Sequence, residues 1–162
     1  MTTYYYDGKP TRRRPRDFET IYFDMDGTIA DLYKPEDWLE RLLRGDETLY
    51  KDATPMCDLR RVEGALRKAH KAVGVVSWLA KGSNRAFDAR VRRAKQVWLM
   101  RHFPIAKEVH IIRHGSHKRY AAKLPGILLD DEVRNVVEWS KGKRWAVLVE
   151  GGADVERFCT TI

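Results

Sequence analysis

The sequence predicts an α/β fold: a three-layer α/β/α, Rossmann-like parallel sheet of about five strands with a very small helical cap insertion. Three observations predict it. Short, continuously apolar runs recur five times, rich in β-branched and aromatic residues. Segments with helical apolar spacing separate them, as crossovers between parallel strands require. Acidic residues end two of the runs abruptly, at Asp24 and at Asp130-Asp131.

Taken in order, residues 1–16 mix aromatics, Gly8, two prolines and the cluster Arg12-Arg13-Arg14-Pro15-Arg16 without sustained periodicity, and they read as an exposed basic arm. Residues 17–162 read as a single domain. Its first strand is Thr20-Ile21-Tyr22-Phe23, running into Asp24-Met25-Asp26-Gly27-Thr28, where glycine allows a sharp turn. The cap insertion falls at about residues 31–57 and holds a short helix after Pro35, with Trp38, Leu39, Leu42 and Leu43 at helical spacing. Leu59, Val62, Leu66 and Ala69 mark a second helix. The run Val73–Ser77 is the second strand, and a basic helix over residues 85–101 follows it. That helix sets Phe87, Val91, Ala94 and Trp98 against Arg85, Arg90, Arg92, Arg93 and Lys95, so the cations read as a solvated face. Residues 109–113, 127–129 (ending at Asp130-Asp131) and 145–149 supply the remaining strands, with Val133, Val136 and Val137 on a helix between the last two.

Composition excludes several classes. The 162 residues are 43% hydrophobic and 33% charged, a globular rather than disordered balance. No apolar run approaches the roughly 20 residues of a membrane helix, and the N-terminus lacks a signal-peptide pattern, so a cytoplasmic location and no membrane partner are expected. Cys57 and Cys159 form no CxxC pair and read as reduced thiols. The formal charge of +8 favours anionic ligands.

An open parallel sheet binds ligands at the carboxyl ends of its strands. The polar residues expected there are Asp24, Ser77, Arg113, Asp130 and Asp131, a set that suits a metal-bound phosphate. A carboxylate can attack phosphorus once a cation offsets the charge repulsion, and a second acid can protonate the departing oxygen and then deprotonate water. The expected nucleophile is Asp24 and the expected acid/base Asp26. The same acids fail as a calcium loop, because Ile29 and Pro35 stand where that loop needs glycine and glutamate.

The segment YFDMDGTIADLY resembles the first motif of the haloacid dehalogenase superfamily. The resemblance implies an aspartyl-phosphate on Asp24, with Asp26 as acid/base. It implies that Ser77 and Lys118 bind the phosphoryl group, with Lys123 competing for the lysine role. It also implies a Mg²⁺ site of the Asp24 carboxylate, the Asp26 carbonyl and the acidic pair, with Asp131 in direct contact and Asp130 beside it. Asn135 stands where a further polar group is common. DMDGTIADLY, the small insertion and LLDDEVRN followed by Trp139 are most similar to the 5'(3')-deoxyribonucleotidase group over residues 18–152, although the insertion is shorter than that group's cap. A phosphorylated small molecule, in particular a nucleotide, is the implied substrate.

Two other readings are open on sequence. In one, the basic arm and arginine helix present a polynucleotide whose terminal phosphate the same site removes. In the other, a nucleic-acid-binding protein retains the scaffold without catalysis. Trp38 and Trp78 are candidates to stack on a base, with core packing as the competing role. His110, His114 and His117 lack the cysteine partners or helical context of a zinc site.

Overall fold

All four residues of β3 (Thr20–Phe23) are buried, as a strand in the middle of a covered sheet must be. In the structure, a computed structural model describing residues 2–162, parallel neighbours flank it on both sides. These are β6 (Ala72–Trp78) and β8 (Ile127–Asp130). β7 (Glu108–Ile112) lies beyond β6 and β9 (Trp145–Leu148) beyond β8, both parallel. The five expected strands are therefore the five parallel strands, in the order β9-β8-β3-β6-β7.

Helices cover both faces. α3 (Leu59–Lys68), α4 (Arg85–His102) and α6 (Gly152–Thr160) bury Leu66, Trp98 and Phe158 on the face carrying Ile21 and Phe23. α5 (Val133–Ser140) sets Val136 and Trp139 against Tyr22 and Leu128 on the opposite face. Between β3 and α3, β4 (Ala30–Asp31) pairs antiparallel with β5 (Thr54–Pro55). That pair closes the insertion carrying α1 (Trp38–Leu43) and α2 (Thr48–Lys51), whose Leu49 and Tyr50 pack with Phe87 and Val91 of α4.

Two elements depart from the sequence reading. The expected arm folds in part: β1 (Thr3–Tyr6) and β2 (Lys9–Thr11) form a hairpin, and β1 pairs antiparallel with β9 to extend the sheet to seven strands. Its two-residue loop is Asp7-Gly8 with φ of 50° and 77°, the left-handed pair that tight hairpins need. The second is α6, whose Val155, Phe158 and Cys159 are buried at helical spacing. No described helix is long and apolar enough to cross a membrane.

The chain crosses from β3 toward β6 and from β8 toward β9, in opposite directions across the sheet. The crevice this leaves lies at the carboxyl ends of β3 and β8.

Candidate active site

Asp24 follows the last residue of β3, and its backbone N–H continues the ladder by donating to Leu129 O at 2.9 Å. Asp130 ends β8 and Asp131 follows it. One carboxylate oxygen from each of Asp24, Asp130 and Asp131 lies within 4.8 Å of the others, the single cluster of potential metal-ligating residues among those described. Gly27 makes the convergence possible. Its φ is +83°, and a Cβ there would overlap the Asp131 carboxylate. Thr28, fully buried, donates its hydroxyl to Asp131 Oδ1 at 3.2 Å.

The three acids are not equivalent. Asp130 is fully buried and saturated: Oδ1 accepts from Glu132 N at 2.9 Å and from Asn135 Nδ2 at 3.2 Å, and Oδ2 accepts from Lys118 Nζ at 2.7 Å and from Asn135 Nδ2 at 3.1 Å. Asp131 is exposed at the rim, with Thr28 as its side-chain partner. Asp24 shares Lys118, whose Nζ stands 2.5 Å from Oδ1. Burial by itself would lower the Lys118 pKa, but the Asp24 and Asp130 carboxylates outweigh it and hold the ammonium above its ordinary range. Burial raises Asp130 to about 6, with Lys118 opposing and Asp24 adding to the rise. Asp131 is exposed as a residue, but its carboxyl turns into the acidic cluster, and desolvation there together with the charges of Asp24 and Asp130 raises its pKa to about 7. The group as it stands carries more negative charge than one lysine offsets, and a divalent cation fits that imbalance.

Asp26 is held apart from this group by a residue the sequence reading misplaced. Lys95, read as part of a solvated face, is fully buried beneath the site. Its Nζ donates to Asp26 Oδ2 at 2.5 Å, to Ser77 Oγ at 2.8 Å and to Trp78 O at 2.7 Å, so all three ammonium hydrogens are used. The other Asp26 oxygen, Oδ1, is buried and has no hydrogen-bond partner. Burial raises the Asp26 pKa; Lys95 opposes the rise and Asp24 adds to it. A signal for Lys95 did exist. It stands four residues after Val91 and four before Leu99, both buried, and so falls on the apolar stripe.

These side chains border a cavity of about 220 Å³. Asp24, Asp26, Lys118, Asp130, Asp131 and Asn135 line its floor, and Tyr33, Trp38, Tyr50 and Trp78 form aromatic walls. Ser77 does not line it. Its hydroxyl is fully buried one layer behind, against Lys95. Lys123 and Arg113 are exposed and also outside the lining, so Lys118 is the lysine that stands at Asp24. Of the histidines, His114 packs on Trp78 at 4.8 Å between ring centroids. His110 pairs with Glu108 at 2.8 Å and His117 with Glu138 at 2.7 Å. The arginines of α4 are partly tied down: Arg90 pairs with Glu47 of the insertion at 3.3 Å, and Arg92 donates to Ile111 O.

No model of a known protein family matches the chain, and no curated protein does. Among solved structures it is similar to the crystal structure of D,D-heptose 1,7-bisphosphate phosphatase from Burkholderia thailandensis. The identity is 14%, over 78% of this chain and 75% of that one, with a TM-score of 0.49.

Proposed function

We propose that the protein hydrolyses a phosphomonoester through an aspartyl-phosphate on Asp24, with Mg²⁺ as cofactor and a nucleotide as substrate. One observation carries the reading: three carboxylates from two distant strand ends meet within 4.8 Å, with a buried lysine bridging two of them.

Asp24 and Asp131 would hold the cation, with Asp130 fixing Lys118 beside them. The cation supplies charge neutralisation and orientation of the phosphate oxygens. Lys118 occupies Asp24 Oδ1, leaving Oδ2 to form the bond to phosphorus as the ester P–O bond breaks. Asp26, with its pKa raised, delivers its proton to the departing alcohol oxygen. The Asp26 carboxylate then takes a proton from water, whose oxygen bonds to phosphorus and releases inorganic phosphate and free Asp24. Lys95 is a positioning residue that holds the Asp26 carboxyl through Oδ2. Ser77, expected to touch the phosphoryl group, acts in this reading through Lys95.

The four aromatic walls support a nucleobase or sugar as leaving group. The polynucleotide-end reading drew on the basic arm, and the arginines of that arm line a groove at the other end of the sheet. Assaying nucleoside 5'- and 3'-monophosphates beside sugar phosphates, with Mg²⁺ and then EDTA, tests the proposal. Release of phosphate from nucleotides in preference to sugar phosphates, abolished by EDTA, is expected. Preference for sugar phosphates would overturn the substrate class, and turnover undiminished in EDTA would overturn the metal.

A further inference from the structure

The amino-terminal end of the sheet carries a second feature, unrelated to the acidic cleft. Arg12, Arg13, Arg14, Arg16 and Lys71 line a groove of about 920 Å³, with Asp17 the one acidic side chain among the lining residues. Trp145 contributes aromatic surface to it, whereas the Phe18 ring is covered by Lys71 and stacks on Phe158. The groove lies where β3, β6 and β9 begin, whereas the cleft lies where β3 and β8 end. Six residues of extended chain separate Phe18 from Asp24, about 20 Å.

The cations in the groove have few internal partners. Arg14 donates to Thr161 Oγ1 at 2.7 Å, and Lys71 sits 4.3 Å from the Phe18 ring centroid while bonding Phe18 O. Arg12, Arg13 and Arg16 are exposed and form no ion pair among the described residues. Like charges gathered around one concavity repel each other and concentrate anions there. Guanidinium groups match phosphate oxygens in a two-point geometry that lysine cannot supply.

We propose that this groove binds single-stranded nucleic acid through its phosphates, with a base lying against Trp145. The combination of a basic channel with the aromatic surface of Trp145 selects that polymer: an acidic peptide has no planar bases, and a flat membrane surface does not enter a groove. The site is independent of the hydrolytic reading, and either can stand without the other.

Fluorescence anisotropy of a labelled single-stranded DNA 12-mer, in EDTA at 50 and 200 mM NaCl, tests it on the full chain. The log of affinity should fall with log salt at about −0.7 per phosphate contacted. The variant Arg12→Ser/Arg13→Ser/Arg16→Ser should bind at least about tenfold more weakly with a salt slope shallower by about 2, for three lost contacts. Its melting temperature and its hydrolysis of small esters should match the wild type. No binding by the wild-type chain, or equal binding by the variant, would overturn the proposal. Polyglutamate binding as tightly as the oligonucleotide would also overturn it, by making the groove a generic acidic-polymer site.

Discussion

Two buried lysines serve three aspartates at the sheet's carboxyl edge, Lys118 bridging Asp24 and Asp130 and Lys95 holding Asp26, and sequence patterns revealed them unequally. A lysine shortly before the acidic strand end was legible from the family resemblance, but Lys118 and Lys123 fit that description equally, and only the fold puts Lys118 at Asp24. Lys95 was not legible, because Arg92 and Arg93 beside it make a charged face the natural reading, and only its register with Val91 and Leu99 betrays its burial. Ser77 was placed correctly in the strand but one layer too far forward, since a strand-end hydroxyl carries no mark of which neighbour it will meet. Removing one member of a buried ion pair strands the other, at a cost of about 3–5 kcal/mol. Lys95→Met should therefore lose stability on that scale and turnover by about 10–100-fold, with KM little changed. Adding Asp26→Asn should recover most of the stability but none of the turnover. Denaturant titration and steady-state kinetics on the single and double variants check this, and wild-type kcat in Lys95→Met would remove Lys95 from the mechanism.

Among elements, the five parallel strands were readable because central strands covered on both faces must be apolar throughout, and that pattern needs no tertiary knowledge. The β1–β2 hairpin escaped because its strands are short and partly exposed, leaving the Asp7-Gly8 loop as its main signal. The loop is anchored as well as turned. Asp7 Oδ1 accepts from Gly142 N and Lys143 N, each at 3.1 Å, tying the hairpin to the turn before β9. At φ +77°, Gly8 tolerates a side chain poorly. Gly8→Ala should cost about 1 kcal/mol or more in chemical denaturation, and because β1 covers the edge of β9 it should also raise aggregation. An unchanged midpoint would show that the hairpin contributes nothing to the fold. α6 was missed for a simpler reason: Gly151-Gly152 reads as a chain break, whereas Gly152 is needed where a Cβ would overlap Met56 O.

For the whole molecule, an alternating strand–helix pattern fixed where a site had to lie, and topology did the rest by placing the switch point between β3 and β8. What the pattern could not show is how charge is balanced there. Asp130 and Asp131 have folded pKa values near 6 and 7, above those of an unfolded carboxyl, so each is favourable to folding while protonated. That contribution is complete below about pH 4 and is lost as pH rises through 6 to 7. In EDTA the melting temperature should therefore fall between pH 5 and 7.5, and less steeply in Asp131→Asn. Mg²⁺ should restore more at pH 7.5 than at pH 5, because it binds the ionised carboxylates. Identical pH profiles for wild type and Asp131→Asn, with no Mg²⁺ effect at either pH, would contradict this balance.

Chemical trapping at Asp24 bears most directly on the central claim. Protein mixed with a nucleoside monophosphate and Mg²⁺, quenched in acid within one turnover and digested, should yield the Asp24 peptide heavier by one phosphoryl group. The adduct should be lost in hydroxylamine and absent from Asp24→Asn, whose turnover should fall by at least about 10³-fold. Phosphate release at the full rate by Asp24→Asn, with the peptide never modified, would contradict the account.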